Sequence, residues 1–156
     1  MTTSSSSIKG GRAVALLREA IRRLESVPYW LLALPLRLAV ATVFWNSGTT
    51  KLANWSTTIE LFTDEYKVPV LPPEIAAYLA ASIELTTPVL LVLGLATRPA
   101  ALVLLGMTTF IEVFVYPQAW PTHIQWAAMM LVLIFRGAGM LSLDHLVRRH
   151  FDAPAR

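Results

Sequence analysis

Most of the chain between residues 29 and 140 is taken up by four apolar stretches, each close to the length a helix needs to cross a bilayer. A hydrocarbon core about 30 Å thick takes roughly 20 residues at about 1.5 Å of rise per residue. The stretches run over about 29–50, 74–96, 99–116 and 122–140. Inside hydrocarbon a single segment can satisfy its own backbone polar groups only as a helix. The sequence therefore predicts an all-α protein built as a membrane four-helix bundle. Composition agrees, with 15% charged residues where a soluble domain carries about 25%. The net charge of +3 resides in basic residues clustered at the two ends. That pattern fits the lipid bilayer as partner and argues against nucleic acid.

The segments outside the spans have their own patterns. Residues 1–11 are polar and Ser-rich and read as a disordered tail. Residues 12–27 read as a cytoplasmic amphipathic helix. Its apolar Ala13, Leu17, Ile21 and Leu24 recur at helical spacing beside Arg18, Arg22 and Arg23, as in a helix lying on anionic lipid. The membrane domain covers 28–147, and 148–156 form a basic C-terminal tail. In the loop between the first two spans, Trp55, Ile59, Phe62 and Tyr66 share one helical face and Thr57-x-x-Glu60 matches a capping box. A short amphipathic helix is expected there, stopped by Pro69, Pro72 and Pro73. Thr97 and Arg98 make the second and third spans an antiparallel hairpin.

Basic residues also set an orientation. Lys9, Arg12, Arg18, Arg22 and Arg23 precede the first span, Arg98 lies in the second turn, and Arg136, Arg148, Arg149 and Arg156 follow the last. The loop at 51–73 has only Lys51 and Lys67 against Glu60, Asp64 and Glu65, and 117–121 has no Lys or Arg. Four spans bring all the basic groups to one side. The expectation is a multi-pass bacterial inner-membrane protein with both termini cytoplasmic.

Ionisable groups inside a span cost roughly 2.5–3.5 kcal/mol each, so each needs a reason. Arg37, Asn46, Glu84, Glu112 and His123 are the candidates for an intramembrane pocket. Counting helical rise from the span ends places Arg37 and Glu84 near one depth, and Asn46, Glu112 and His123 in an outer polar layer. An Arg37–Glu84 pair could fix the register of two helices. Alternatively, Glu84 could hold a proton, a cation or a quinone head group, because Pro88 frees its carbonyl, with Thr86 and Thr87 at hand. Glu112 and His123 read either as hydrated groups at a helix end or as a shared metal or proton site. His123, Glu112 and Met130 are weak candidates for a metal such as copper. Gly94 and Gly106 offer small faces for a homo-oligomer. The chain has no cysteine, which excludes disulfides, thiolate-held clusters and a thiol relay within it. It also lacks a P-loop, a dinucleotide fingerprint and a nucleophile elbow.

The fourth span ends in Arg136-Gly137-Ala138-Gly139-Met140-Leu141-Ser142-Leu143-Asp144. This resembles the G-x-G-x-x-S-[LIV]-D ending of the DoxX family of small four-helix membrane proteins. Arg37, Phe44, Gly48 and Lys51 resemble that family's R…F…G..K pattern, and Glu84, Gly94 and Arg98 continue it. The resemblance spans about 34–147 and implies a membrane component of a redox or metal/oxidative-stress system, with a quinone or a metal ion as ligand and a redox protein as partner. It does not by itself imply an enzyme, and an oxidoreductase subunit is the catalytic version. A non-catalytic scaffold or assembly factor and a small proton-coupled transporter are the alternatives. Physically, Gly137 and Gly139 open backbone angles closed to other residues, and Ser142 or Asp144 can cap a short basic helix over about 143–151.

Overall fold

A computed structural model describes residues 4–151, and among these every regular element is helical. Helix α1 (Ser4–Glu25) precedes α2 (Tyr29–Ala53), and α3 (Trp55–Glu60) runs into a π-helical turn over Leu61–Tyr66. Then follow α4 (Pro73–Leu93), α5 (Thr97–Phe114), a 3-10 turn at Pro117–Ala119, α6 (Trp120–Arg136) and α7 (Leu143–Phe151). Helices α2, α4 and α5 are long and apolar enough to cross a membrane. Helix α6, of 17 residues, packs on α5 and α2.

These four long helices share one core. Val40, Ala41 and Phe44 of α2, Leu91 of α4, Ala100, Ala101 and Leu104 of α5, and Met130 and Leu133 of α6 are buried together. The small residues let helix backbones approach closely, which drives packing where lipid supplies no hydrophobic force. Large side chains such as Leu38, Val89, Leu102, Val113 and Ile124 face outward, as a surface solvated by lipid requires.

Several boundaries differ from the sequence expectation. Helix α1 begins at Ser4, so residues 4–11, read as a disordered tail, are helical. Extending a formed helix needs no new nucleus and adds one backbone bond per residue, so even the weak helix formers Ser and Gly continue it backward. Residues 1–3 and 152–156, with Arg156 of the expected basic tail, lie outside the described residues. From 13 to 25 the helix is exposed except at Glu19, which is held between Arg22 and Arg23. The fourth apolar helix ends at Arg136 and not at 140, because Gly137 takes φ +78° and returns its N–H to the Leu133 carbonyl at 2.8 Å.

The segment after α2 forms the expected amphipathic face. Phe62 is buried against Ala76, Ala77 and Ala80 of α4, with Trp55, Ile59 and Tyr66 packed around it. The capping box at Thr57 does not form. Helix α3 leaves α2 through a single break at Asn54 (φ −136°), and the Asn54 carbonyl already accepts the Thr58 N–H at 3.0 Å. Lys67, at φ +43°, ends the π-helical turn, and Pro73 opens α4.

Candidate functional site

Lys51, in the last turn of α2, folds its ammonium inward. Its Nζ donates to Ser47 Oγ at 2.9 Å and to Glu84 Oε1 at 2.9 Å, and lies 2.8 Å from Glu84 Oε2. Ser47 Oγ donates to Glu84 Oε1 at 3.1 Å. Ser47 and Lys51 are i,i+4 partners, so they sit one above the other on the helix face that meets α4. Gly48 lies between them. A Cβ there would stand 2.9 Å from Leu85 Cγ and 3.0 Å from Glu84 Cβ, so glycine sets how closely α2 and α4 approach. The Glu84 carboxylate is almost wholly buried. Its Oε2 has a charge close by but receives no hydrogen bond. A polar cleft of about 460 Å³ reaches Ser47 and Lys51 between Thr50, Thr57, Phe62 and Tyr66. Thr86 and Thr87, expected to serve the carbonyl freed by Pro88, instead donate to the carbonyls of Ser82 and Ile83 at 2.7 Å.

Glu112 and His123 do meet, as the depth count requires. His123 Nδ1 and Glu112 Oε2 hydrogen-bond at 2.6 Å across the α5–α6 hairpin. His123 is buried and stacks at a tilt on Trp126 (5.1 Å between centroids), which meets Phe44 edge-on at 5.8 Å. Asn46 does not join them. It is exposed at the edge of the α2–α4 seam, because the α2 face turned toward the core carries Val40, Ala41 and Phe44. Met130 is consumed by that core. Among the described residues no three His, Cys, Asp or Glu side chains group as metal ligands.

Arg37 is 2% exposed, yet its partner is not Glu84. Its Nε donates to the Leu91 carbonyl and its Nη2 to that of Val92, both at 2.7 Å. Its Nη1 donates to Ala138 at 3.0 Å and to Leu141 at 2.7 Å. The first two carbonyls lie at the C-terminal end of α4, where the helix dipole is negative. The other two belong to the turn that follows α6. A buried cation is thus solvated by backbone carbonyls in place of water, and it pins that turn to α4.

The remaining motif residues complete the same knot. Gly94 takes φ +65° and closes α4 with Leu95 N–H to the Leu90 carbonyl at 2.9 Å. Ser142 Oγ accepts the His145 N–H at 3.2 Å, capping α7. Asp144 caps a different helix: its carboxylate accepts the N–H groups of Ala96 (2.7 Å) and Thr97 (2.9 Å) at the start of α5. Gly139, at φ +79°, lies so close to Trp30 that a Cβ would be 3.0 Å from its Cα. Gly94 is spent within the chain, leaving Gly106 as the open small face.

The polar residues therefore form three separate networks instead of one converging pocket. The sequence reading passed over Ser47 and took Lys51 as a motif position and a loop charge, not as a site residue. The signal was present, as Ser47-Gly48-x-x-Lys51 puts a hydroxyl and an amine on one face beside a small residue.

A description of the DoxX family matches residues 32–117, which hold Arg37, the Lys51–Ser47–Glu84 cluster and Glu112. The glycine turn at 137–139 lies beyond that match. A protein of Haemophilus influenzae, described as uncharacterized, is 31% identical over 129 residues, covering 73% of this chain and 82% of its own length. No solved structure matches. The chain belongs to the DoxX family.

Proposed function

We propose that this chain is the membrane component of a redox or stress-response assembly and binds a quinone head group at Lys51, Ser47 and Glu84. In this reading α6 is the fourth span, since 17 residues at about 1.5 Å each give roughly 25 Å. Both termini then lie in the cytoplasm of a bacterium, with the cluster in the outer half of the membrane. The carrying observation is the buried Glu84 carboxylate held by Lys51 and Ser47, both of which line the cleft. An ammonium has three donors, and two are engaged. The third lies toward Glu84 Oε2 and can turn from it to a ligand carbonyl. Electrons would come from an associated oxidoreductase, because this chain offers no thiol of its own. Full-length protein in nanodiscs, titrated with a short-chain benzoquinone, tests this through quenching of Trp55 and its neighbours. Saturable quenching is expected, and it should vanish in the neutral double variant Lys51→Met/Glu84→Gln. Equal quenching in both proteins reflects partition into lipid and sinks the reading.

A non-catalytic scaffold is the second reading, and Arg37 favours it. All four of its hydrogen bonds go to backbone, so the most deeply buried charge serves architecture.

A further inference from the structure

A second hollow, of about 500 Å³, opens at the other end of the bundle, between the start of α2, the start of α5 and the turn into α7. Arg98, Arg136, Arg148 and His145 line it, with Asp144 as the one acid. That acid is committed, because its two oxygens accept the backbone N–H groups of Ala96 and Thr97. Among the described residues no ion pair joins any of these three arginines to a carboxylate. Two are nevertheless positioned. The Arg136 guanidinium lies 4.8 Å from the Tyr29 ring centroid, and Tyr29 Oη donates to the Gly137 carbonyl at 2.9 Å. Arg98 lies along the backbone of Phe135 and Gly137, where a Cβ on Gly137 would stand 3.5 Å from its Nε. That is ordinary contact distance, so Gly137 is set by its φ of +78° and the Arg98 fork simply packs along it.

We infer that this hollow binds a phosphate group, presented by an anionic phospholipid headgroup or free in solution. Planar guanidinium forks match phosphate oxygens in pairs, and a basic pocket between span ends fits a lipid headgroup. Arg98 opens α5 and Arg136 closes α6, so both lie at headgroup depth for helices that cross the bilayer. The start of α5 contributes little here, since Asp144 takes the amides of Ala96 and Thr97 and Pro99 has none, so the charge must come from side chains.

The test is thermal unfolding of the full-length protein in neutral detergent. The additives are phosphatidylglycerol, phosphatidylcholine and inorganic phosphate, each titrated separately. Stabilisation by phosphatidylglycerol well below the effective concentration of phosphatidylcholine supports the site and names lipid as the source. An equal saturable effect of inorganic phosphate supports the site and names the free anion. In Arg98→Gln/Arg136→Gln the apparent affinity should fall about tenfold or more. Arg98→Lys/Arg136→Lys should recover part of it, which separates loss of the site from loss of the fold. Arg149→Gln, outside the hollow, should bind as the parent does. No preference for either anion, or an unchanged response in the double Gln variant, overturns the inference.

Discussion

The ammonium of Lys51 reaches both oxygens of Glu84, at 2.9 and 2.8 Å, across the seam between α2 and α4. Both side chains are largely buried there. Removing one partner leaves a buried charge uncompensated, at a cost of about 3–5 kcal/mol. Lys51→Met should therefore lower the resistance of the membrane-extracted protein to denaturant by about that much. Lys51→Met/Glu84→Gln should recover most of the loss, because replacing both partners removes the stranded charge. Additive losses in the double variant would show that the two side chains are not coupled.

Arg37 joins elements distant in sequence through four carbonyls, those of Leu91, Val92, Ala138 and Leu141. Arg37→Met strands buried acceptors at about 1–3 kcal/mol each, so a total of several kcal/mol is expected. Arg37→Lys keeps the charge but cannot reproduce the planar fork, and it should fall between. Limited proteolysis offers the readout, with cleavage in the 137–142 turn rising in the order parent, Lys, Met. Equal protection of all three would show that the turn holds without the guanidinium.

The helices were legible because hydrocarbon imposes length, and Trp55, Ile59, Phe62 and Tyr66 gave their common face away by spacing. The Glu112–His123 pair was legible for a related reason: a short hairpin fixes which residues of α5 and α6 are level. The Arg37–Glu84 expectation failed on register. It assumed that α2 and α4 end at one level on the outer side. Instead α4 continues past α2, and its Ala76, Ala77 and Ala80 are covered by Phe62 and its neighbours. That offset puts Gly48 opposite Glu84 and Arg37 opposite Leu91, about 16 Å apart along α2. Nor does a local pattern reveal that Asp144 caps α5, as that contact depends on how the 137–142 turn folds back.

Gly94 and Gly106 make a paired test of which small residues the fold needs. Gly94 has φ +65°, and a Cβ there would stand 2.5 Å from Ser142 Cβ. Gly94→Ala combines a left-handed backbone penalty of about 1–2 kcal/mol with a clash, so membrane abundance should drop sharply. A Cβ at Gly106 meets nothing within 4 Å. Gly106→Ala should be neutral or stabilising by about 0.5–1 kcal/mol in a single chain, as helix propensity dictates. Loss of a dimer band in Gly106→Ala, with unchanged stability, would identify that face as a subunit contact.

Tyr116, just beyond α5, gives a pH-dependent prediction outside the spans. Its hydroxyl donates to Glu65 of the π-helical turn, and its ring meets Tyr66 edge-on at 5.6 Å. Partial desolvation of a residue that is still over a third exposed, then the hydrogen bonds with Glu65 and Tyr66, raise its pKa above the ordinary tyrosine value. The folded state binds this proton more tightly than the unfolded chain does. The stability it contributes is therefore complete below the ordinary tyrosine value, and is lost as the pH climbs toward and through the raised one. An ultraviolet titration of the parent minus Tyr116→Phe should show the missing tyrosine ionising later than the others. The tie between this loop and the C-terminal end of α5 should loosen over the same alkaline range, seen as faster proteolysis near 65–70. A difference titration at the ordinary tyrosine value would mean that the Glu65 bond does not hold in solution, and the loop between α2 and α4 would then be anchored by Phe62 and its neighbours alone.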